Sequence, residues 1–271
     1  KKDPKSMALK FTKMHGLGND FMVIDAVNQA VQLSPHHIKQ LSCRHTGIGF
    51  DQCLLLEKST QPHLDFFYRI FNADGSEVGQ CGNGARCIAR FIQHHQLSNK
   101  DKLTVATTTT ELTLQLNANH TVTVNMGTPV WAPNPDIIPG TTMHALTLGN
   151  PHVVMQVDSI KTAPVNTLGP EIETHVLFPE QTNVGFFELK AQNHILLRVH
   201  ERGAGETEAC GSGAVAAAAV ARKFYHLNKS IRVTLPGGDL TIDWPDMTGP
   251  LFMTGPAEFV YEGELISESY A

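Results

Sequence analysis

The sequence predicts an α+β fold of two pseudo-symmetric homologous domains, each a mixed β-sheet wrapped around a central helix, with the active site in the interdomain cleft. Three observations lead there. First, Arg69-Ile70-Phe71-Asn72, Glu77 and Cys81-Gly82-Asn83-Gly84-Ala85 recur as Arg198-Val199-His200-Glu201, Glu206 and Cys210-Gly211-Ser212-Gly213-Ala214, each member 129 positions later. Second, Leu17-Gly18-Asn19 recurs as Leu148-Gly149-Asn150, and Thr46-Gly47-Ile48-Gly49-Phe50 as Thr182-Asn183-Val184-Gly185-Phe186, in the same order. Third, the run Ala214 to Ala221 is apolar nearly all round, which suits a helix threaded through a core. Two repeats of this length are too few and too long for a solenoid or propeller. They read as homologous halves, with Cys81 and Cys210 on opposite walls of one cleft.

The elements follow in order. Phe21 to Asp25, Leu64 to Phe71, Leu103 to Ala106, Glu111 to Leu116 and Thr121 to Asn125 read as strands, rich in Val, Ile, Thr and aromatics with partial alternation. Ser34-Pro35 opens a helix, Ser as N-cap and Pro at the first position, running to about Arg44. After Cys81 a helix runs to about Leu97, with Ile88, Phe91 and Ile92 on one side. Met126 to Thr142, with prolines at 129, 133, 135 and 139, reads as the linker. His152 to Val157 and Ile195 to His200 read as strands, and Gly211 to about Tyr225 as the second central helix. From Ile231 to Tyr261 short strands return between Pro236-Gly237-Gly238 and Thr248-Gly249-Pro250. Residues 1–6 read as the remnant of an expression tag. Residues 7–125 form the N-terminal half, completed by a strand over 257–271, and residues 126–256 the C-terminal half.

Composition narrows the function classes. A chain of 271 residues, 41% hydrophobic and 17% charged, can pack a soluble core. The net charge of −5, without a basic block, argues against nucleic acid as partner. No apolar run reaches membrane-spanning length, and no secretory signal is visible. Five cysteines without a framework pattern fit a reducing cytoplasm. There is no CxxC, and Cys81 and Cys87 are six apart, so no metal is expected.

Cys81 and Cys210 each sit where a strand and loop feed a helix, just before Gly-x-Gly. Backbone N–H groups at a helix start favour negative charge, so a thiolate there is expected to be stabilised and its pKa lowered. Two opposed helix starts would also hold a carboxylate between them. A carboxylate beside two thiols points to inversion of an amino acid: one thiolate removes the α-proton and the opposite thiol returns a proton to the other face. The carbanion that forms needs preorganised dipoles, which the helix ends supply. The blander reading of a lone cysteine is core filler, and Cys43, Cys53 and Cys87 are read so. His152, two residues after the repeated Asn150, is a site candidate. Asn19, Asn72, Asn150 and Asn183 fall within or beside repeated segments. Glu201 and Arg202 lie in the loop leading to Cys210.

At these residues the chain resembles the diaminopimelate epimerases. The resemblance is carried by Lys13-Met14-His15-Gly16-Leu17-Gly18-Asn19-Asp20-Phe21, Gly49-Phe50-Asp51-Gln52, Phe71-Asn72-Ala73-Asp74-Gly75-Ser76-Glu77, Gln80-Cys81-Gly82-Asn83-Gly84-Ala85-Arg86-Cys87 and Gly149-Asn150-Pro151-His152. Glu201-Arg202-Gly203-Ala204-Gly205-Glu206-Thr207 follows, running to Cys210-Gly211-Ser212-Gly213. The resemblance implies that Cys81 and Cys210 are the acid–base pair, Cys81 donor and Cys210 acceptor from LL to meso, with His152 and Glu201 assisting. It implies substrate contacts at Asn19, Gln52, Asn72, Gly82, Asn83, Asn150, Asn183, Glu201, Arg202, Gly211 and Ser212, no cofactor, and a cytoplasmic homodimer with Tyr261 at its interface. Arg202 suits the distal carboxylate of a substrate with two amino-acid ends.

Rival readings remain at this point. A proline or hydroxyproline racemase shares the two-thiol logic but leaves Arg202 and the asparagines without a role. A phenazine-biosynthesis isomerase of the same fold does not use the cysteine pair. A non-catalytic amino-acid binder or a dithiol redox sensor would use the same thiols differently.

Overall fold

A computed structural model describes residues 8–79 and 81–266. The tag reading of residues 1–6 and the last part of the expected strand, 267–271, lie outside the described residues. The chain divides into two compact units, one formed by the residues up to Val122 together with those from Pro256 on, the other by Thr123–Gly255. Its α-helices, in chain order, are α1 (Pro35–Ser42), α2 (Gly82–His94), α3 (Val165–Glu173) and α4 (Gly211–Tyr225).

In the first unit Leu9–Gly16 pairs antiparallel with both Glu258–Leu265 and Asn19–Asp25. Asn19–Asp25 runs parallel to Gln52–Lys58, which is antiparallel to Phe66–Asn72. Phe66–Asn72 runs parallel to Lys102–Ala106, itself antiparallel to Glu111–Leu116. The second unit repeats this alternation. Met143–Thr147 is antiparallel to Pro151–Gln156, which runs parallel to Asn183–Ala191. That strand is antiparallel to His194–Glu201, which runs parallel to Ser230–Leu235, followed antiparallel by Gly238–Asp243.

Each sheet curls round one helix. α2 packs on Leu9–Gly16, Asn19–Asp25, Gln52–Lys58 and Glu111–Leu116, reaching strands at both sides of its sheet. α4 packs on seven strands of its own unit, from Met143–Thr147 to Phe252–Gly255. Only a narrow helix fits inside a closed layer of side chains, and Ala214 to Ala221, all buried, with valine only at 215 and 220, makes it narrow. α2 is also buried well beyond the expected Ile88, Phe91 and Ile92. It even carries Arg86 into the core, where Nε donates to Pro256 O (2.9 Å) and one terminal N–H to Asn83 Oδ1 (2.9 Å). Bonded acceptors are the condition for such burial, which pulls the guanidinium down to about 10.

Several expectations are corrected. Phe21 pairs with Gln52 and His152 with Asn183, while Gln52 faces Asn72 and Asn183 nearly reaches Glu201 through the neighbouring Val184–His200 pair. Gln52 is therefore the structural counterpart of Asn183, and the Thr46–Phe50 match with Thr182–Phe186 is a sequence coincidence. Residues 126–142 are no free linker: Val130–Trp131 pairs with Met143–Thr147, and Ile137 and Ile138 pack on the second core. α1 stops at Ser42, where Cys43 turns extended, and α2 stops at His94, ahead of Gln96 at φ 53°. Cys53 and Cys87 are buried, but Cys43 is exposed. α3 carries no helix signal in the sequence because Gly169-Pro170 reads as a breaker. Gln52–Lys58 carries no strand signal because Cys53-Leu54-Leu55-Leu56 is buried on both faces and shows no alternation. Among the described residues no helix is long and apolar enough to cross a membrane.

Ala217 is fully buried midway along α4. Ala217→Leu is expected to destabilise the protein by about 1–3 kcal/mol through overpacking. Urea denaturation followed by circular dichroism checks this, with a lowered midpoint expected.

Candidate active site

Both sulfurs are helix caps. Cys81 is the N-cap of α2, and its Sγ accepts the N–H of Gly84 at 3.3 Å. Cys210 is the N-cap of α4, and its Sγ accepts the N–H of Gly213 at 3.3 Å. The second glycine of the Cys210 motif follows from this: a Cβ on Gly213 would lie 3.1 Å from the Cys210 sulfur and 3.0 Å from Val199. Gly82 and Gly211 are the first helical residues, each next to its sulfur. An Arg–Glu brace precedes each cysteine: Arg69 holds Glu77 at 2.8 and 2.9 Å, and Arg198 holds Glu206 at 2.5 and 2.8 Å. The repeated glutamates are therefore strand-to-strand anchors. The sequence showed their repetition but not their partners.

Around Cys81 the polar groups stand at strand ends. Asn19 begins its strand, Gln52 begins the parallel neighbour, and Asn72 ends the next one. Cys81 Sγ–H points to Asn19 Oδ1 at 3.8 Å, and Asn83 donates to the same oxygen at 3.3 Å. Gln52 donates to Asn72 at 2.9 Å, and its buried Oε1 has no hydrogen-bond partner among the described residues. Behind them stands a charge cluster to which no role had been given. Asp20 receives two bonds of 2.8 Å from Arg44 and one of 2.6 Å from Lys13, and Asp51 accepts from Asn19 at 3.0 Å. Burial alone would raise Asp20, but the bonds from Arg44 and Lys13 outweigh it and hold the carboxyl well below its usual range. Lys13, Asp20 and Asp51 lie inside the motifs quoted above, and only their spatial meeting gives them a purpose.

Around Cys210 the equivalent places carry Asn150, just before its strand, Asn183, which begins the parallel neighbour, and Glu201, which ends the next. His152, 2% exposed, bonds Asn150 Oδ1 at 3.0 Å. Asn150 donates to Ser212 Oγ at 3.3 Å, and Ser212 meets Cys210 Sγ at 3.7 Å. Burial, then the charge of Arg202, pull His152 down to about 3, so near neutral pH it is an uncharged imidazole. Its Nε2 is assigned the proton because Asn150 Oδ1 can only accept. Asn183 is committed to backbone, accepting the Arg202 N–H at 3.0 Å and donating to Pro151 O at 2.9 Å. Arg202 is exposed, with one guanidinium N–H on Glu180 O at 3.1 Å. Thr207 Oγ1 donates to Glu201.

The thiol expected to ionise readily does not do so in the second unit. Burial first, then the Glu201 carboxylate, push Cys210 well above its usual value, and the Gly213 N–H and Ser212 only partly offset them. This corrects the expectation of a lowered pKa at Cys210: the helix start acts, but burial and a like charge act more strongly. The remaining predicted residue, Tyr261, stands elsewhere, exposed on Glu258–Leu265 with its ring edge-on to Phe11 at 5.9 Å. Among the described residues one trio could offer ligands to a metal, His94, His95 and Glu262, at the far end of α2 from Cys81.

A family model described as diaminopimelate epimerase matches residues 11–132 and 144–260. Diaminopimelate epimerases of Legionella pneumophila strains Corby and Paris are each 57% identical to the chain over 96% of its length and all of theirs. Among solved structures, a Bacillus anthracis phenazine biosynthesis protein of the PhzF family superposes with TM-score 0.72 at 16% identity, over 96% of this chain and 99% of that one. A hydroxyproline epimerase from Agrobacterium vitis superposes with TM-score 0.71 at 12% identity, over 96% and 93%. At such identities these two structures carry the fold alone.

The Glu201 carboxylate raises Cys210, so its removal must lower it. In Glu201→Gln, alkylation of Cys210 by iodoacetamide, followed by mass spectrometry against pH, is expected to begin at lower pH than in the unmodified chain. A profile that stays put would show that the carboxylate does not reach the sulfur.

Proposed function

The chain belongs to the diaminopimelate epimerase family, and on that premise we propose that Cys81 and Cys210 interconvert LL- and meso-diaminopimelate by proton transfer on opposite faces of one α-carbon. The enzyme is an isomerase of a family that works without pyridoxal phosphate. The observation that carries the assignment of roles is the equivalence of the two sulfurs, each an N-cap bonded by the third amide of a buried helix.

In this reading one cysteine, as thiolate, takes the α-proton and becomes a thiol. The other, starting as a thiol, delivers its proton to the opposite face and becomes a thiolate. One proton leaves carbon and one arrives, and the two sulfurs exchange states, so the reverse reaction resets them. From LL to meso Cys210 is the base and Cys81 the acid. Cys210 is held as a thiol by burial and by Glu201, so it must first release its proton to solvent, and the α-ammonium of the substrate, by offsetting that carboxylate, is the group suited to favour the thiolate. The N–H groups of Gly82, Asn83, Gly211 and Ser212 at the two helix starts are the dipoles for the developing carbanion and its carboxylate.

His152 does not donate protons as an imidazolium here; uncharged, it fixes Asn150 and through it Ser212. Asn19, Gln52, Asn72 and Asn83 offer both donors and acceptors to the substrate, with Gln52 Oε1 the open acceptor. Arg202 takes the distal carboxylate. Lysine lacks that group and would forgo this contact. The reading also includes a place in lysine and peptidoglycan precursor biosynthesis, the cytoplasm, and a homodimer in which Tyr261 lies at the interface. Neither a proline-type racemase nor a phenazine isomerase is favoured, because the close sequence relatives are diaminopimelate epimerases.

Incubation with LL-diaminopimelate in D₂O under reductant is expected to give the meso form with deuterium at the inverted carbon. Cys81→Ala and Cys210→Ala are each expected to abolish inversion with circular dichroism unchanged, and full activity in either would refute the roles. Arg202→Ala is expected to raise KM at least tenfold, in line with loss of a charge-assisted pair worth about 1.5–3 kcal/mol. An unchanged KM would remove Arg202 from the substrate.

A further inference from the structure

We propose that Glu173 is a positioning residue for the turn that presents Glu201 and Arg202, an inference that rests on the functional reading above. Glu173 is the last residue of α3, 8% exposed. One carboxylate oxygen accepts the Gly203 N–H at 2.7 Å, and the other is bonded to His200 Nε2 at 2.6 Å. The adjacent amide, Arg202 N–H, is accepted by Asn183 Oδ1 at 3.0 Å, and Ala204 N–H closes the turn on Glu201 O at 3.1 Å. Two successive amides of the turn are thus held from opposite elements, a strand start and a helix end. Gly203 has φ 75°, a left-handed conformation that glycine adopts without strain, so the turn has no side chain of its own at this position to hold it. α3 comes close enough for this because Gly169 has no side chain: a Cβ there would lie 2.7 Å from His200 Cβ.

The duplicated unit supplies an internal comparison. By the 129-residue offset, Phe71 stands where His200 stands, and Asn72 where Glu201 stands. There the turn closes through Gly75 N–H on Asn72 O at 2.9 Å, and α1 reaches it through the Ser42 hydroxyl on Ala73 O at 2.8 Å. The same fold is therefore built with an apolar ring at this position. A buried carboxylate–imidazole pair adds desolvation cost over that arrangement and is weak evidence for stability. What the pair does that Phe71 does not is fix the backbone beneath Glu201 and Arg202. Arg202 is the exposed arm of this turn, so a loosened turn costs substrate binding first.

The test uses the full chain. Glu173→Ala is expected to raise KM for diaminopimelate at least tenfold, to lower kcat less, and to speed hydrogen exchange of the Gly203 amide. Glu173→Gln keeps an acceptor for that amide and is expected to recover most of both effects. The double variant Glu173→Leu with His200→Phe copies the apolar solution of the first unit. It is expected to fold with unreduced thermal stability while KM stays raised. Wild-type KM in Glu173→Ala, or in the double variant, would overturn the proposal, the second by showing that the pair only fills space. If the unmodified chain failed to epimerise diaminopimelate, the functional reading would fall. The Gly203 exchange rate would still decide the clamp.

Discussion

A helix that starts inside a curled sheet must satisfy its first amides without water. In both units a cysteine sulfur meets that requirement, taking the amide three residues on. Sulfur is a weak acceptor, and serine or aspartate would cap better. The arrangement therefore sets a reactive group where the backbone most favours negative charge, and the surrounding chain accommodates it. Gly213 leaves room for the Cys210 sulfur, the alanines of α4 let the helix lie in the core, and the Arg69–Glu77 and Arg198–Glu206 braces fix the strands that lead into each cap.

The two copies share this frame and differ in polarity. Cys81 is partly exposed among asparagines, whereas Cys210 is buried beside Glu201 and Ser212. A two-base mechanism requires that the sulfurs hold different protonation states at any moment. In the mechanism proposed above, burial and a carboxylate hold Cys210 as a thiol, which would tie proton abstraction to occupancy by an ammonium-bearing ligand.

Much of this was legible in the sequence because the duplication printed it twice. The caps, the central helices and the strands before Cys81 and Cys210 follow from matched residues and turn chemistry. Segments whose burial is two-sided stayed hidden, since Cys53-Leu54-Leu55-Leu56 carries no period to read. α3 stayed hidden behind Gly169-Pro170, although Gly169 is there to admit His200. The Thr46–Phe50 match misled because five similar residues fell in a loop of one unit and a strand of the other. The partners of Asp20, Glu77, Glu173 and Glu206 were also out of reach, because a charge in sequence does not state which distant cation or amide it meets. The raised thiol of Cys210 was missed for a related reason: the helix start is visible in sequence, but depth of burial is not.

The polar residues around each cysteine stand at strand ends: Asn19, Gln52 and Asn72 in one unit, Asn183 and Glu201 in the other, with Asn150 one residue before its strand. Parallel pairing places two strand starts side by side, and the antiparallel partner brings a strand end to the same edge. Hydrogen-bonded strands stand about 4.8 Å apart, so the spacing of these side chains is set by backbone and not by loops. A site on such edges is rigid without depending on the identity of the residues that occupy it. The same sheet can then serve different chemistries as those six positions and the two caps change. Position 183 shows how far such a change can go. Gln52 in the first unit keeps an acceptor open, while Asn183 in the second spends its amide on the Arg202 turn and Pro151. The equivalent strand start has passed from offering a ligand group to holding the loop that offers one.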